Sequence, residues 1–172
     1  MSHWERSGRS DQWYTPKYVF DALGCTFYMD VAAPHLIPSY IGDLLTRRDG
    51  PRWLWKDSLE SDWLGFVWMN PPYGGRNSLT AWLDKFVGHG NGIALVPDRT
   101  SAPWFRAAFP AMDAVMFTPK IRFLRPDGSE GKSPSNGSAL MAIGEHGVAA
   151  LHNAARNGLG ILATPISARR AP

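Results

Sequence analysis

The sequence predicts an α/β fold built on a mainly parallel sheet whose far edge is partly antiparallel. Short apolar runs alternate with amphipathic segments of helical spacing between residues 26 and 109, the order that strand-helix-strand units produce. The first three runs stop at Asp30, at Asn70-Pro71 and at Pro97-Asp98, as buried strands do when they reach the surface. Three further runs beyond residue 113 follow one another without a helical interval, which calls for antiparallel pairing there.

The elements follow in order. Residues 1–10 are polar, with Gly8 and three serines, and read as a loose leader. A single domain is expected over residues 11–165, with a flexible tail at 166–172. Pro16 suits the first turn of a helix that carries Val19, Phe20 and Leu23 and stops at Gly24, so Trp13, Tyr14 and Thr15 fall on the loop entering it. Residues 26–30 read as a buried strand with Asp30 at its carboxyl end. The proline-interrupted stretch 31–60 allows one short helix at 39–45.

Residues 66–69 (Phe-Val-Trp-Met) predict a central strand that ends at Asn70, and Leu79, Trp82, Leu83 and Phe86 a helix behind it. A strand at 93–96 and a helix through Trp104, Phe105, Ala108 and Phe109, closed by Pro110, repeat the pattern. Strands are then expected at 114–117, 120–124 and 139–143, with a mobile Gly/Ser/Pro-rich loop at 125–137. A helix at 148–155 and a strand at 160–163 close the chain.

A chain of 172 residues can bury a full core without disulfide or metal. The single Cys25 cannot form an internal disulfide, and no Cys/His cluster has metal-ligand spacing. No metal is expected. Apolar residues make up 44% and charged residues 19%, with no run long enough to span a bilayer and no signal-peptide pattern, so no membrane partner and a cytosolic location are expected. The net charge of +3 leans only slightly toward a polyanionic partner. Of the eight tryptophans, Trp63, Trp68 and Trp82 lie in apolar patterns and read as core, leaving a minority free to stack on bases.

Asn70-Pro71-Pro72-Tyr73 carries the chemistry. Open α/β sheets bind ligands beyond the carboxyl ends of their strands, where both Asp30 and Asn70 are expected. The two prolines stiffen the loop and remove its donors, so it presents acceptors in a fixed geometry. The Asn70 side-chain oxygen and the Pro71 carbonyl can each accept one hydrogen of an amine conjugated to a heteroaromatic ring, such as adenine, and localise its lone pair toward a methyl donor. A stacked base cannot reach such a site. It must be flipped out, and Tyr73 is placed to stack on it. The bland alternative is a strand-ending turn, which the same residue types favour. Asp30 and Asp57, taken singly, read more readily as caps or solvated turn residues than as site residues, and only the company of Asn70 reverses that.

Several segments together resemble the small Dam-like adenine-N6 DNA methyltransferases of phages and prophages. They are Asp11-Gln12-Trp13-Tyr14-Thr15-Pro16, Phe27-Tyr28-Met29-Asp30, Asp57-Ser58-Leu59 with Asp62-Trp63, Trp68-Met69-Asn70-Pro71-Pro72-Tyr73-Gly74, Arg99-Thr100, Trp104-Phe105 and Lys120-Ile121-Arg122-Phe123-Leu124. The resemblance covers residues 11–143. It implies a Rossmann-like class I methyltransferase fold, S-adenosylmethionine as cofactor, DNA as partner and a phage-encoded enzyme in the cytoplasm of a bacterial host. Tyr14, Thr15 and Pro16, with Trp13 beside them, would contact the methionine end of the cofactor; Asp30 would close the first cofactor-binding strand, Asp57 would hold the adenosine, and Asn70 would border both ligands. Two segments depart from the family pattern. Asp30-Val31-Ala32-Ala33 stands where the family usually has Asp-Pro-Cys-Ala, which affects local cofactor contacts, and Ser133-Pro134-Ser135-Asn136 replaces a late Ala-Pro-Phe-type segment, which affects DNA contacts.

Arg76, Arg99, Arg122, Arg125 and Lys132 are ordinary surface residues one by one, but several lie on loops expected near the catalytic face, where a subset would contact phosphates. The same tetrapeptide also serves methyltransferases of RNA and of protein glutamine. Those usually carry a Gly-rich loop after the first strand, and none follows Asp30. A catalytically inactive nucleic-acid-binding module is a further alternative. The chain has no room for a separate recognition domain, so relaxed sequence specificity is expected unless a homodimer pools two sets of loops.

Overall fold

The computed structural model describes residues 13–33, 58–73, 78–125 and 127–166. Helix α1 (Lys17–Leu23) starts behind Pro16 and ends at Gly24, whose φ of 63° closes the helix in the left-handed region. Strand β1 (Met29–Asp30) is shorter than the expected 26–30. Strand β2 (Val67–Met69) ends at Asn70, followed by helix α2 (Ser78–His89), strand β3 (Gly92–Pro97) and helix α3 (Pro103–Ala108). Pro110 lies in a 3-10 turn, Phe109–Ala111, that extends α3. Strands β4 (Ala114–Thr118) and β5 (Ser138–Ile143), helix α4 (Glu145–Arg156) and strand β6 (Ile161–Ala163) complete the order.

One six-stranded sheet forms in the order β1-β2-β3-β5-β4-β6. The first three strands are mutually parallel, with Asp30 opposite Trp68 and Met69 opposite Ala94. Strand β5 inserts between β3 and β4 and runs against both, and β6 runs against β4. Antiparallel pairing therefore occupies the whole second half of the sheet, more than the rim expected from the spacing of the runs.

Side chains alternate across the sheet with a period of two. Trp68, Ile93, Leu95, Met116 and Leu140 pack under α1 and α4 through Val19, Phe20, Leu23, Leu151 and Ala154. Met69, Ala94, Val96, Val115 and Met141 face the other way, under α2 and α3 through Leu83, Phe86 and Phe105. Covered on both faces, β3 is buried from Gly92 to Val96, and such a strand reads as a continuous apolar run. Trp63 and Trp68 are buried and Trp82 is packed at the edge of the second cluster, as their patterns implied.

One expectation is corrected. Residues 120–124 form no strand of the sheet, because β4 already has β5 on one side and β6 on the other. Instead Ile121 is buried in the core and Leu124 makes isolated antiparallel bridges to Tyr14 and Glu130. The expected loop at 125–137 is hydrogen-bonded where it begins. Arg125 N–H donates to the Ser129 carbonyl at 2.8 Å and Gly131 N–H to the Phe123 carbonyl at 2.7 Å, which closes a short hairpin. The expected helix at 39–45, the leader at 1–10, and Asp57 and Arg76 lie outside the described residues.

Candidate active site

The carboxyl ends of β1, β2 and β3 lie side by side and carry Asp30, Asn70 and Pro97-Asp98. The backbone continues the pairing past β1, since Val31 N–H donates to the Trp68 carbonyl at 3.0 Å. Behind it the Ser58 hydroxyl donates to the Val31 carbonyl, and the Trp63 indole N–H donates to the Ser58 carbonyl at 2.9 Å. Ser58 and Trp63, next to Asp57 in the sequence, thus brace the β1 end.

Asp30 is only 3% exposed. Burial raises its carboxyl to about 7, partly offset by the Ala32 backbone N–H that it accepts at 3.1 Å. No lysine or arginine among the described residues pairs with it. A buried carboxylate with one donor retains acceptor capacity and suits a ligand that brings its own cation.

Asn70 faces two partners. Its Nδ2 donates to Thr15 Oγ1 at 3.3 Å, and its Oδ1 accepts from the Tyr73 hydroxyl at 2.8 Å. The Tyr73 oxygen also lies 3.1 Å from the Leu95 carbonyl of β3. Tyr73 keeps 41% of its surface exposed while its hydroxyl is turned inward, and that burial raises the phenol well above its ordinary value. The phenol therefore stays a donor at any ordinary pH. Pro71 is buried and Pro72 exposed, so the loop is pinned at its first proline.

The residues expected to enter the first helix meet this site. Tyr14 and Thr15 are buried, and Pro16 caps α1 in an extended conformation. Trp13 lies outside, under the Arg125 guanidinium at 5.8 Å. The structure thus brings Thr15, Asn70 and Tyr73 into one chain of contacts, with Asp30 on the neighbouring strand end.

On the other side of Tyr73 opens a cleft of about 560 Å³, lined among others by Pro97, Arg99, Trp104, Phe123 and Asn136. Arg99 is exposed at its wall. Arg122 pairs with Glu130 at 3.6 Å, Arg125 donates to the Glu130 carbonyl at 2.7 Å, and Lys132 is exposed on the same segment. One contributor was not read from sequence: the Leu95 carbonyl is a backbone group with no signature. Asn136, in the segment whose departure from the family pattern bears on DNA contacts, reaches the cleft because register sets Ser138 opposite Pro97. The strand-end rule applied to Asp30 and Asn70 would have singled out the Pro97 turn as well.

A family model described as DNA N-6-adenine-methyltransferase (Dam) matches residues 2–148. The chain belongs to that family. Neither a curated protein nor a solved structure matches it. DNA is the partner that Dam membership implies, and the mixed sheet is compatible with a methyltransferase. Among the described residues no helix is long and apolar enough to cross a membrane, and no three His, Cys, Asp or Glu side chains gather as a metal site.

Proposed function

We propose that this Dam-family chain methylates the exocyclic N6 of adenine in DNA, using S-adenosylmethionine and a base flipped out of the duplex. The observation that carries the reading is the position of Asn70. Its amide sits between Thr15 on one side and Tyr73 on the other, and Tyr73 also lines the cleft. A Rossmann-like class I arrangement is supported by three parallel strands that deliver Asp30, Asn70 and Pro97 to one edge, with β5 running against its neighbours.

When bound, S-adenosylmethionine supplies an electrophilic methyl group on a sulfonium sulfur. Asp30 fits its ammonium group, because the buried carboxylate has acceptor capacity left and no lysine or arginine among the described residues paired with it. Tyr14, Thr15 and Pro16 would hold the methionine end and Asp57 the adenosine. In the cleft, Tyr73 and Trp104 offer ring faces to a base and Arg99 a charge to a phosphate.

Asn70 Oδ1 and the Pro71 carbonyl accept the two amino hydrogens of the adenine. This favours a tetrahedral N6 with its lone pair turned to the methyl donor, and the proton that N6 loses after alkylation, hydrogen-bonded to these acceptors as it leaves, passes on to water. No strong base is required. The test is transfer of labelled methyl groups to duplex DNA, single-stranded DNA, RNA and protein in parallel. Label on N6-methyladenine in DNA is expected, and label only on RNA or protein overturns the reading.

A further inference from the structure

We infer that Thr15 is a positioning residue that sets which end of the Asn70 amide faces the substrate, an inference that rests on the reaction proposed above. The two ends of an amide have similar shape and opposite hydrogen-bonding character. Only Oδ1 can accept an amino hydrogen. An amide turned by half a rotation would bring two N–H donors against the donors of the substrate amine and would oppose the reaction.

Two side chains hold the orientation. Tyr73 donates to Oδ1 and Thr15 Oγ1 accepts from Nδ2. These partners differ in permanence. Tyr73 bonds the very oxygen that the substrate amine must reach and carries the ring that is to stack on the base, so its contact with Oδ1 is the one that base binding disturbs. Thr15 bonds the other end and can stay. During the reaction it is the contact that keeps Oδ1 toward the Tyr73 side.

The mounting of Thr15 suits that task. Tyr14 exchanges both backbone hydrogen bonds with Leu124 at 2.9 Å, fixing the residue before it. Pro16 follows with restricted φ, and Thr15 itself is 2% exposed. The 124–131 hairpin backs the same segment. Arg125 lies over Trp13, and Gly131 packs so close that a Cβ there would come within 2.4 Å of the Trp13 ring. This hairpin, outside the sheet, therefore bears on the geometry of Asn70.

Thr15→Val removes the acceptor at nearly constant volume, and Thr15→Ser keeps it. In single-turnover assays with saturating cofactor and DNA, Thr15→Val should lose about tenfold or more in methyl transfer, within the range seen when preorganised hydrogen bonds are broken. Thr15→Ser should recover most of the rate. Cofactor affinity is measured separately by calorimetry, so that each variant is assayed at its own saturating cofactor concentration and any loss of cofactor binding is removed from the comparison. A wild-type rate in Thr15→Val overturns the inference, and so does a loss that vanishes at saturating cofactor, since Thr15 would then only bind cofactor. The Asn70 side-chain NH2 resonances, identified by their loss in Asn70→Ala, give a readout independent of activity. They should shift in Thr15→Val and stay in place in Thr15→Ser, and unmoved resonances in Thr15→Val overturn the inference. Should the wild-type protein transfer no methyl to adenine, the proposed reaction falls while these resonances still decide the role of Thr15.

Discussion

The Tyr73 hydroxyl lies 2.8 Å from Asn70 Oδ1, so the residue expected to stack on the target base occupies the acceptor that the base must use. The hydroxyl also reaches the Leu95 carbonyl, and the ring borders the cleft. Under the proposed reaction, base entry and release of Asn70 would be one motion of one side chain.

Tyr73→Phe should keep the ring face, free Asn70 Oδ1 and retain substantial activity. Tyr73→Ala should weaken binding of the flipped base by about 1–3 kcal/mol, the usual worth of one base-aromatic stack. Fluorescence of a base analogue at the target position follows this directly. A Phe variant as poor as the Ala variant would show that the hydroxyl, not the ring, is what the reaction needs.

Replacing Asn70 by Ala removes an acceptor aimed at developing charge. Turnover should fall by about 10²–10³-fold, as when one preorganised hydrogen-bonding group is deleted from an active site. The fold should persist, because Asn70 lies just past β2 and outside both core clusters. Circular dichroism together with single-turnover rates checks both halves, and near-normal turnover would sink the mechanism.

The Asp30 carboxyl is raised to about 7 by burial. A group whose folded value lies above its unfolded one contributes stability that is full below the unfolded value, near 3.8, and is lost as pH rises toward 7. Asp30→Asn should therefore stabilise the ligand-free protein at pH 8 by up to about 4 kcal/mol, each of the roughly three pKa units being about 1.4 kcal/mol, and leave stability at pH 4 nearly unchanged. The same variant should bind S-adenosylmethionine more weakly, having lost the partner for its ammonium. Denaturation at the two pH values and calorimetry with cofactor measure these effects; equal stability shifts at both pH values would contradict the burial argument.

Affinity for DNA should fall steeply with salt as neutralised phosphates release counterions. Arg99 lines the cleft and is exposed. Its replacement by Ala should weaken binding across all sequences and flatten the salt slope by about one. Fluorescence anisotropy over a salt series tests this, and binding indifferent to salt would point away from nucleic acid.

Methylation should fall on many adenines with at most a short flanking preference, because the cleft, among the described residues, offers few groups to base edges. Mapping methylated adenines on DNA of mixed sequence, with the oligomeric state measured beside it, checks this. Modification confined to one motif of about four or more bases by a monomer would overturn the argument from domain size.

Much of this architecture was legible in local chemistry. Gly24 ends α1, and Asn70-Pro71 ends β2, because backbone preferences of glycine and proline act over one or two residues. The buried parallel strands announced themselves as apolar runs. Residues 120–124 misled for the same reason: Ile121 is apolar because it is buried, but the flanks of β4 were already taken. Burial is visible in a run of residues, whereas a strand partner is not.

The sequence by itself determined the acceptor motif, the strand that delivers it and the sheet edge where it stands, since each depends on residues adjacent in the chain. Only the tertiary structure decided that β5 inserts between β3 and β4, that Asp30 is buried with no lysine or arginine of the described residues paired to it, and that Thr15, 55 positions from Asn70, meets its amide. Hydrogen bonds between distant residues and the loss of solvent around a carboxylate depend on how elements pack. No local pattern of residue types encodes that geometry.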